Sequence, residues 1–90
     1  MLPFRKLVYR FLMLPWVTQM EVAIKLDLMT EEARSATTEI GRNNIIFTEA
    51  RKRGILAELW DAIRDTAYYQ DGSLDENPFR ELESFRGQDI

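Results

Sequence analysis

The stretch that decides the fold is Ala50-Arg51-Lys52-Arg53-Gly54-Ile55-Leu56-Ala57-Glu58-Leu59-Trp60. Three bases crowd together just before a glycine, and an apolar run at helical spacing follows. Cations in a last helical turn face the negative end of the macrodipole. Glycine just past it supplies the left-handed backbone on which helices commonly end. The stretch therefore predicts two helices meeting at a corner, Gly54. The second helix is expected from Ile55 to about Tyr68. Ile55, Leu56, Leu59, Trp60, Ile63 and Ala67 form its buried arc, and Glu58, Asp61 and Asp65 recur at i, i+3 and i+7 on the opposite side.

Upstream of the corner, Thr37 or Thr38 caps the helix that ends at Arg53, with Ile40, Phe47 and Ala50 facing inward and Asn43 as a polar group on the same face. Thr30 caps a short helix from Glu31 to about Ala36, with Glu31 and Glu32 in the first turn. Pro3 opens a first helix to about Leu14, which sets Phe4, Leu7, Val8 and Phe11 against the basic Arg5, Lys6 and Arg10. Pro15 breaks it. The next helix, Trp16 to Leu28, has a broad apolar face of Trp16, Val17, Met20, Ala23 and Ile24 and a second strip of Val22 and Leu26. Such a helix is either central in a bundle or exposed at an interface, and Val22 and Leu26 are the candidate apolar interface. Both tryptophans are expected in the core; an exposed one would be a binding anchor.

Downstream, residues 70–76 are polar with a turn signal at Asp71-Gly72, and Asn77-Pro78 reads as the cap and first position of a last short helix. Phe79, Leu82 and Phe85 recur there every three residues. The expectation is one all-α domain, a compact antiparallel bundle of five to six short helices. Residues 1–70 would form the bundle, and 71–90 an acidic linker with a short helix at about 77–86.

Composition narrows the chemistry. The 90 residues contain no Cys and no His. This removes disulfides, thiolate metal sites, a cysteine nucleophile and a histidine base. The four glycines are scattered, so no phosphate-binding loop is present. No cofactor or metal is expected, and no enzymatic activity. The N-terminal apolar segment is interrupted by Arg5, Lys6 and Arg10. Its longest uncharged run, Phe11–Met20, is about half of a membrane span, so a cytoplasmic protein is expected.

Charge divides at the same glycine. Residues 1–53 carry nine bases and six acids, whereas residues 54–90 carry three and nine. The basic Arg5, Lys6, Arg10, Arg51, Lys52 and Arg53 and the acidic Glu58, Asp61 and Asp65 are therefore candidate partner-binding faces. Complementary faces on one module suit head-to-tail docking of copies or homologues. An exposed ion pair contributes only about 0–1 kcal/mol, so several pairs plus apolar contact are needed. Charge reversal at Asp61 is expected to abolish pairing and leave the fold intact.

The pieces Leu14-Pro15-Trp16-Val17, Met20-Glu21-Val22-Ala23-Ile24-Lys25-Leu26 and Ala50 to Trp60 resemble the bacterial effector-associated, or death-like, domains of prokaryotic conflict and antiphage defence systems. The resemblance spans roughly Phe4 to Ile63. It implies a death-fold bundle acting as a homotypic adaptor. Such a domain pairs with a like domain on another protein, or with a second copy of itself, and couples a sensor to an effector. An inhibitor or antitoxin-like binder of one specific protein is the alternative. A DNA-binding regulator is disfavoured, because the chain is acidic (pI ≈ 4.9) and the helix after Gly54 carries three acids. Membrane binding by the first helix is disfavoured too, because its apolar face is needed in the core.

Overall fold

In the computed structural model, residues 2–69, 74 and 76–81 are described. All regular structure among them is helical: α1 (Pro3–Leu12), α2 (Trp16–Lys25), α3 (Glu31–Arg34), α4 (Glu39–Arg53), α5 (Leu56–Arg64), a 3-10 turn (Ala67–Tyr69) and α6 (Pro78–Glu81). The bundle is organised around α5, which packs against α1, α2, α4, α6 and the 3-10 turn, while α3 packs on α4.

The position of α5 follows from its composition. Leu56, Ala57, Leu59, Trp60, Ala62 and Ile63 are all buried. A helix apolar around most of its girth must be covered on most sides. Trp60 is completely buried, and Phe79 of α6 meets its ring edge-to-face at 6.4 Å. Around it lie Leu7 and Phe11 of α1, Val22 and Ala23 of α2, and Ile46, Phe47 and Ala50 of α4. Phe47 takes the edges of Phe4 and Phe11 at 6.1 and 5.1 Å, which joins α1 to α4.

The corner at Gly54 forms as expected. Its φ of +71° is left-handed; the Gly54 N–H donates to Arg51 (3.1 Å) and the Ile55 N–H to Ala50 (3.0 Å). These two bonds satisfy carbonyls that the helix end would otherwise leave open. The same pattern ends α2, earlier than expected. Asp27 is left-handed at φ +58°, its N–H donates to Ile24 (3.0 Å), and the Leu28 N–H donates to Ala23 (2.8 Å). An aspartate tolerates this conformation less well than glycine. Arg53 supports the corner by donating to the Asp27 carbonyl (2.9 Å). Thr30 and Thr38 cap α3 and α4 by accepting from the N–H groups of Ala33 (3.2 Å) and Gly41 (3.0 Å).

The expectations for Ile40 and for the fifth helix also change. Ile40 faces solvent (77% exposed) because the inward face of α4 is set by Asn43, Ile46, Phe47 and Ala50. The fifth helix stops at Arg64, and Ala67 lies exposed in the 3-10 turn. Asn77 caps α6 by accepting from the Phe79 N–H (2.9 Å). The expected continuation of that helix beyond Glu81, with Leu82 and Phe85, lies outside the described residues.

Asp61 also has a different role from the one its spacing suggested. It accepts from Asn77 (2.9 Å) and Arg80 (2.7 Å) and faces Arg64 (3.3 Å), so it holds α6 against α5. Asn77 also donates to the Ala57 carbonyl (2.9 Å). Reversing the charge at Asp61 would therefore disturb this junction. Burial alone would raise its pKa; the hydrogen bonds from Arg80 and Asn77 and the charges of Arg64 and Arg80 outweigh that and hold it below the ordinary 3.8.

Gly54→Ala should cost about 1 kcal/mol, because a Cβ there meets no other atom and only the left-handed backbone penalises it. In thermal unfolding this is a fall of roughly 4–8 °C; an unchanged midpoint would contradict the geometry. The depressed Asp61 pKa contributes stability that is present above the unfolded-state value and is lost as pH falls through the folded-state value. Asp61→Asn should flatten the acid side of the stability–pH curve below about pH 4. An acid limb identical to that of wild type in urea titrations would overturn this.

Candidate functional site

The candidate basic residues divide into two groups. The Arg51 guanidinium lies over the Phe4 ring at 4.8 Å, which brings the last turn of α4 beside the first turn of α1. Arg5, Arg51 and Lys52 therefore share one end of the bundle, all exposed. Arg53 is turned aside into a 2.7 Å ion pair with Glu49 and its bond to Asp27. Arg10 lies half-buried over Tyr9 (5.8 Å) and hydrogen-bonds Tyr69. Burial raises the Tyr69 pKa, opposed by the charge and hydrogen bond of Arg10. Lys6 is half-buried. The contiguous basic surface is thus smaller than the sequence suggested.

The acidic residues separate in the same way. Glu58 and Asp65 are exposed, Asp65 lying 3.7 Å from Arg64, while Asp61 between them faces α6. Glu58 in the first turn of α5 and Arg51–Arg53 in the last turn of α4 flank the same corner. The charge division at Gly54 therefore does not set the two signs at opposite ends. Among the described residues, no group of three carboxylates is placed to hold a metal ion.

The apolar surface of α2 is the reverse of the expectation. Val22 is 3% exposed and Leu26 packs against the core, so neither forms an open apolar strip. Trp16, Val17 and Ile24 are instead exposed, at 54%, 58% and 59%. Trp16, half-buried Met20 and Ile24 form a stripe at i, i+4 and i+8, with Val17 beside it and exposed Leu12 and Met13 preceding it along the chain.

A polar chain decides which side of α2 turns inward. Gln19 is buried and donates to the Leu14 carbonyl (3.1 Å), while its own carbonyl accepts from Arg42 (3.2 Å). Arg42 also donates to Asn43 through two nitrogens, each at 3.2 Å. Gln19 thus satisfies the corner after α1 and ties α2 to α4. Periodicity could not reveal this, because it counts glutamine as a surface residue. The signal available was Pro15, which leaves the carbonyls before it without a helical partner.

Residues 3–65, α1 through the end of α5, match the sequence pattern of GTPase-associated adaptor domains. The chain belongs to the GTPase-associated adaptor domain family. No curated protein and no solved structure matches it. The match takes in both the Gly54 corner and the exposed α2 stripe. Membership of an adaptor family agrees with the conflict-system type of domain that the sequence resembled. No described helix of this adaptor domain is long and apolar enough to cross a membrane.

The two tryptophans should behave oppositely. Trp60→Ala should cost roughly 3–5 kcal/mol as a core truncation, whereas Trp16→Ser should stay within about 0.5 kcal/mol. Urea unfolding checks both, and a large loss for Trp16→Ser would mean that its ring is covered.

Proposed function

We propose that this chain is a non-catalytic adaptor that pairs with a like domain on another protein and couples a sensor to an effector in bacterial antiphage defence signalling. A GTPase-bearing protein is the partner class. The carrying observation is the match to GTPase-associated adaptor domains across the α1–α5 bundle. The setting is cytoplasmic, and the death-fold resemblance supplies the homotypic mode of pairing.

The chemistry available suits surface pairing. Arg5, Arg51 and Lys52 would meet the partner domain's counterparts of Glu58 and Asp65; all five positions are exposed in this chain. Each exposed pair contributes about 0–1 kcal/mol and is screened by salt. Binding through these groups alone is therefore weak and reversible, as suits a triggered assembly. The exposed α2 stripe is available to add apolar contact. DNA binding fits poorly: the candidate recognition helix, α5, is the most enclosed helix, and Glu58 on it and Asp65 just after it are exposed.

Light-scattering mass of the chain, alone and mixed with a GTPase-bearing protein that carries a domain of this family, tests the reading. A complex that weakens from low to high salt is expected. Lys52→Glu on this chain, and reversal of the acid at the position matching Glu58 on the partner domain, should each weaken it severalfold, and the two variants together should restore it. No complex with such a protein at any salt concentration would sink the reading.

A further inference from the structure

Helices α1 and α4 meet through aromatic rings at their floor and leave a groove of about 510 Å³ between them. One wall is Phe4, Val8 and Leu12 of α1, spaced i, i+4 and i+8; the other is α4, where Ile40 and Phe47 alternate with the polar Asn43, Asn44 and Thr48. At 1.5 Å per residue, Phe4 to Leu12 spans about 12 Å, the length of a two-turn stretch of helix. Ile40, 77% exposed, stands at its edge as an apolar side chain with no cover. The ends are oppositely charged: Glu39 at the start of α4 and Arg51 at its end, the latter against Phe4.

We propose that this groove seats an amphipathic helix contributed by the partner protein, running antiparallel to α4. The inference rests on the adaptor reading and names the surface through which a partner is held. Apolar residues at i, i+4 and i+7 or i+8 would fill the groove. Antiparallel packing sets the two helix dipoles in opposition. It also matches the usual order of charge along a helix, acids in the first turn and bases in the last: the occupant's acid lies over Arg51 and its base over Glu39.

Among the described helices of this chain, none combines an exposed apolar stripe with that order of charge. The α2 stripe is exposed, but α2 has no acid in its first turn. Glu58 and Arg64 give α5 the right charges, but its apolar residues are buried. The occupant is therefore a helix of another protein rather than a second copy.

The test is selection from a displayed library of three-turn helices. Leucine is fixed at the groove-facing positions, and Glu, Lys and Gln are randomised in the first and last turns. On the wild-type chain, binders with Glu early and Lys late should be enriched. Their affinity should fall about tenfold or more on Ile40→Asp, and Arg51→Glu should switch the early preference to Lys. Asp at the second position of α4 suits the helix dipole, so circular dichroism of Ile40→Asp should match wild type. Failure to enrich binders, enrichment without charge order, or binding that survives Ile40→Asp but is lost on Trp16→Asp would each overturn the proposal. Self-association abolished by Ile40→Asp, with no library binder, would make the occupant a second copy and overturn it too. If the GTPase-bearing complex forms but the selection fails, only the groove is refuted. If charge-ordered binders are lost on Ile40→Asp while no such complex forms, the groove stands and the homotypic reading falls.

Discussion

Burial of α5 is the constraint on which the rest of the structure depends. Six of its nine residues are buried, with Trp60 at the centre. An apolar helix of this kind has to be covered on nearly every side. α1, α2 and α4 cover much of it, and Phe79 of α6 and the 3-10 turn supply further contacts. The described part of α6 is thus an integral cover for Trp60, held by Asn77 and by Arg80 on Asp61.

Covering α5 creates a polar problem at the helix ends, and the chain solves it locally. Gly54 and Asp27 turn the backbone left-handed so that carbonyls at the ends of α4 and α2 are satisfied. At the α1–α2 corner, where Pro15 forbids that solution, Gln19 donates to the carbonyl of Leu14. The same glutamine accepts from Arg42, whose positive charge is buried among neutral oxygens. Among the described residues Arg42 has no ion-pair partner, and such a buried charge is costly unless its hydrogen bonds are made. The chain of bonds therefore favours one orientation of α2 against α4.

That orientation governs what the adaptor domain can offer a partner. Turning Gln19, Val22 and Ala23 inward leaves Trp16, Val17 and Ile24 outside. The aromatic contacts of Phe47 with Phe4 and Phe11 join α1 to α4 at the floor of a groove that Ile40 borders. The available surface is consequently part apolar and part charged: a stripe, a groove, and the exposed residues Arg5, Arg51, Lys52, Glu58 and Asp65.

Much of the fold was legible in the sequence because its signals are local. Proline at position 3, threonine caps at 30 and 38, glycine at 54 and the Asn77-Pro78 pair each act through backbone geometry within a few residues. The apolar arc of α5 is equally local, since helical period alone aligns it. The sequence by itself thus determined the all-helical class, where the helices start, the end of α4 at Gly54 and the burial of Trp60. Only the tertiary structure decided which of two apolar strips on α2 turns inward, that Ile40 stays outside, and that Asp61 holds α6 rather than facing a partner. Those outcomes depend on groups far apart in the chain: Gln19 with Arg42, and Asp61 with Arg80. Periodicity ranks the faces of one helix; it carries no information about which polar group a neighbouring helix will place against them.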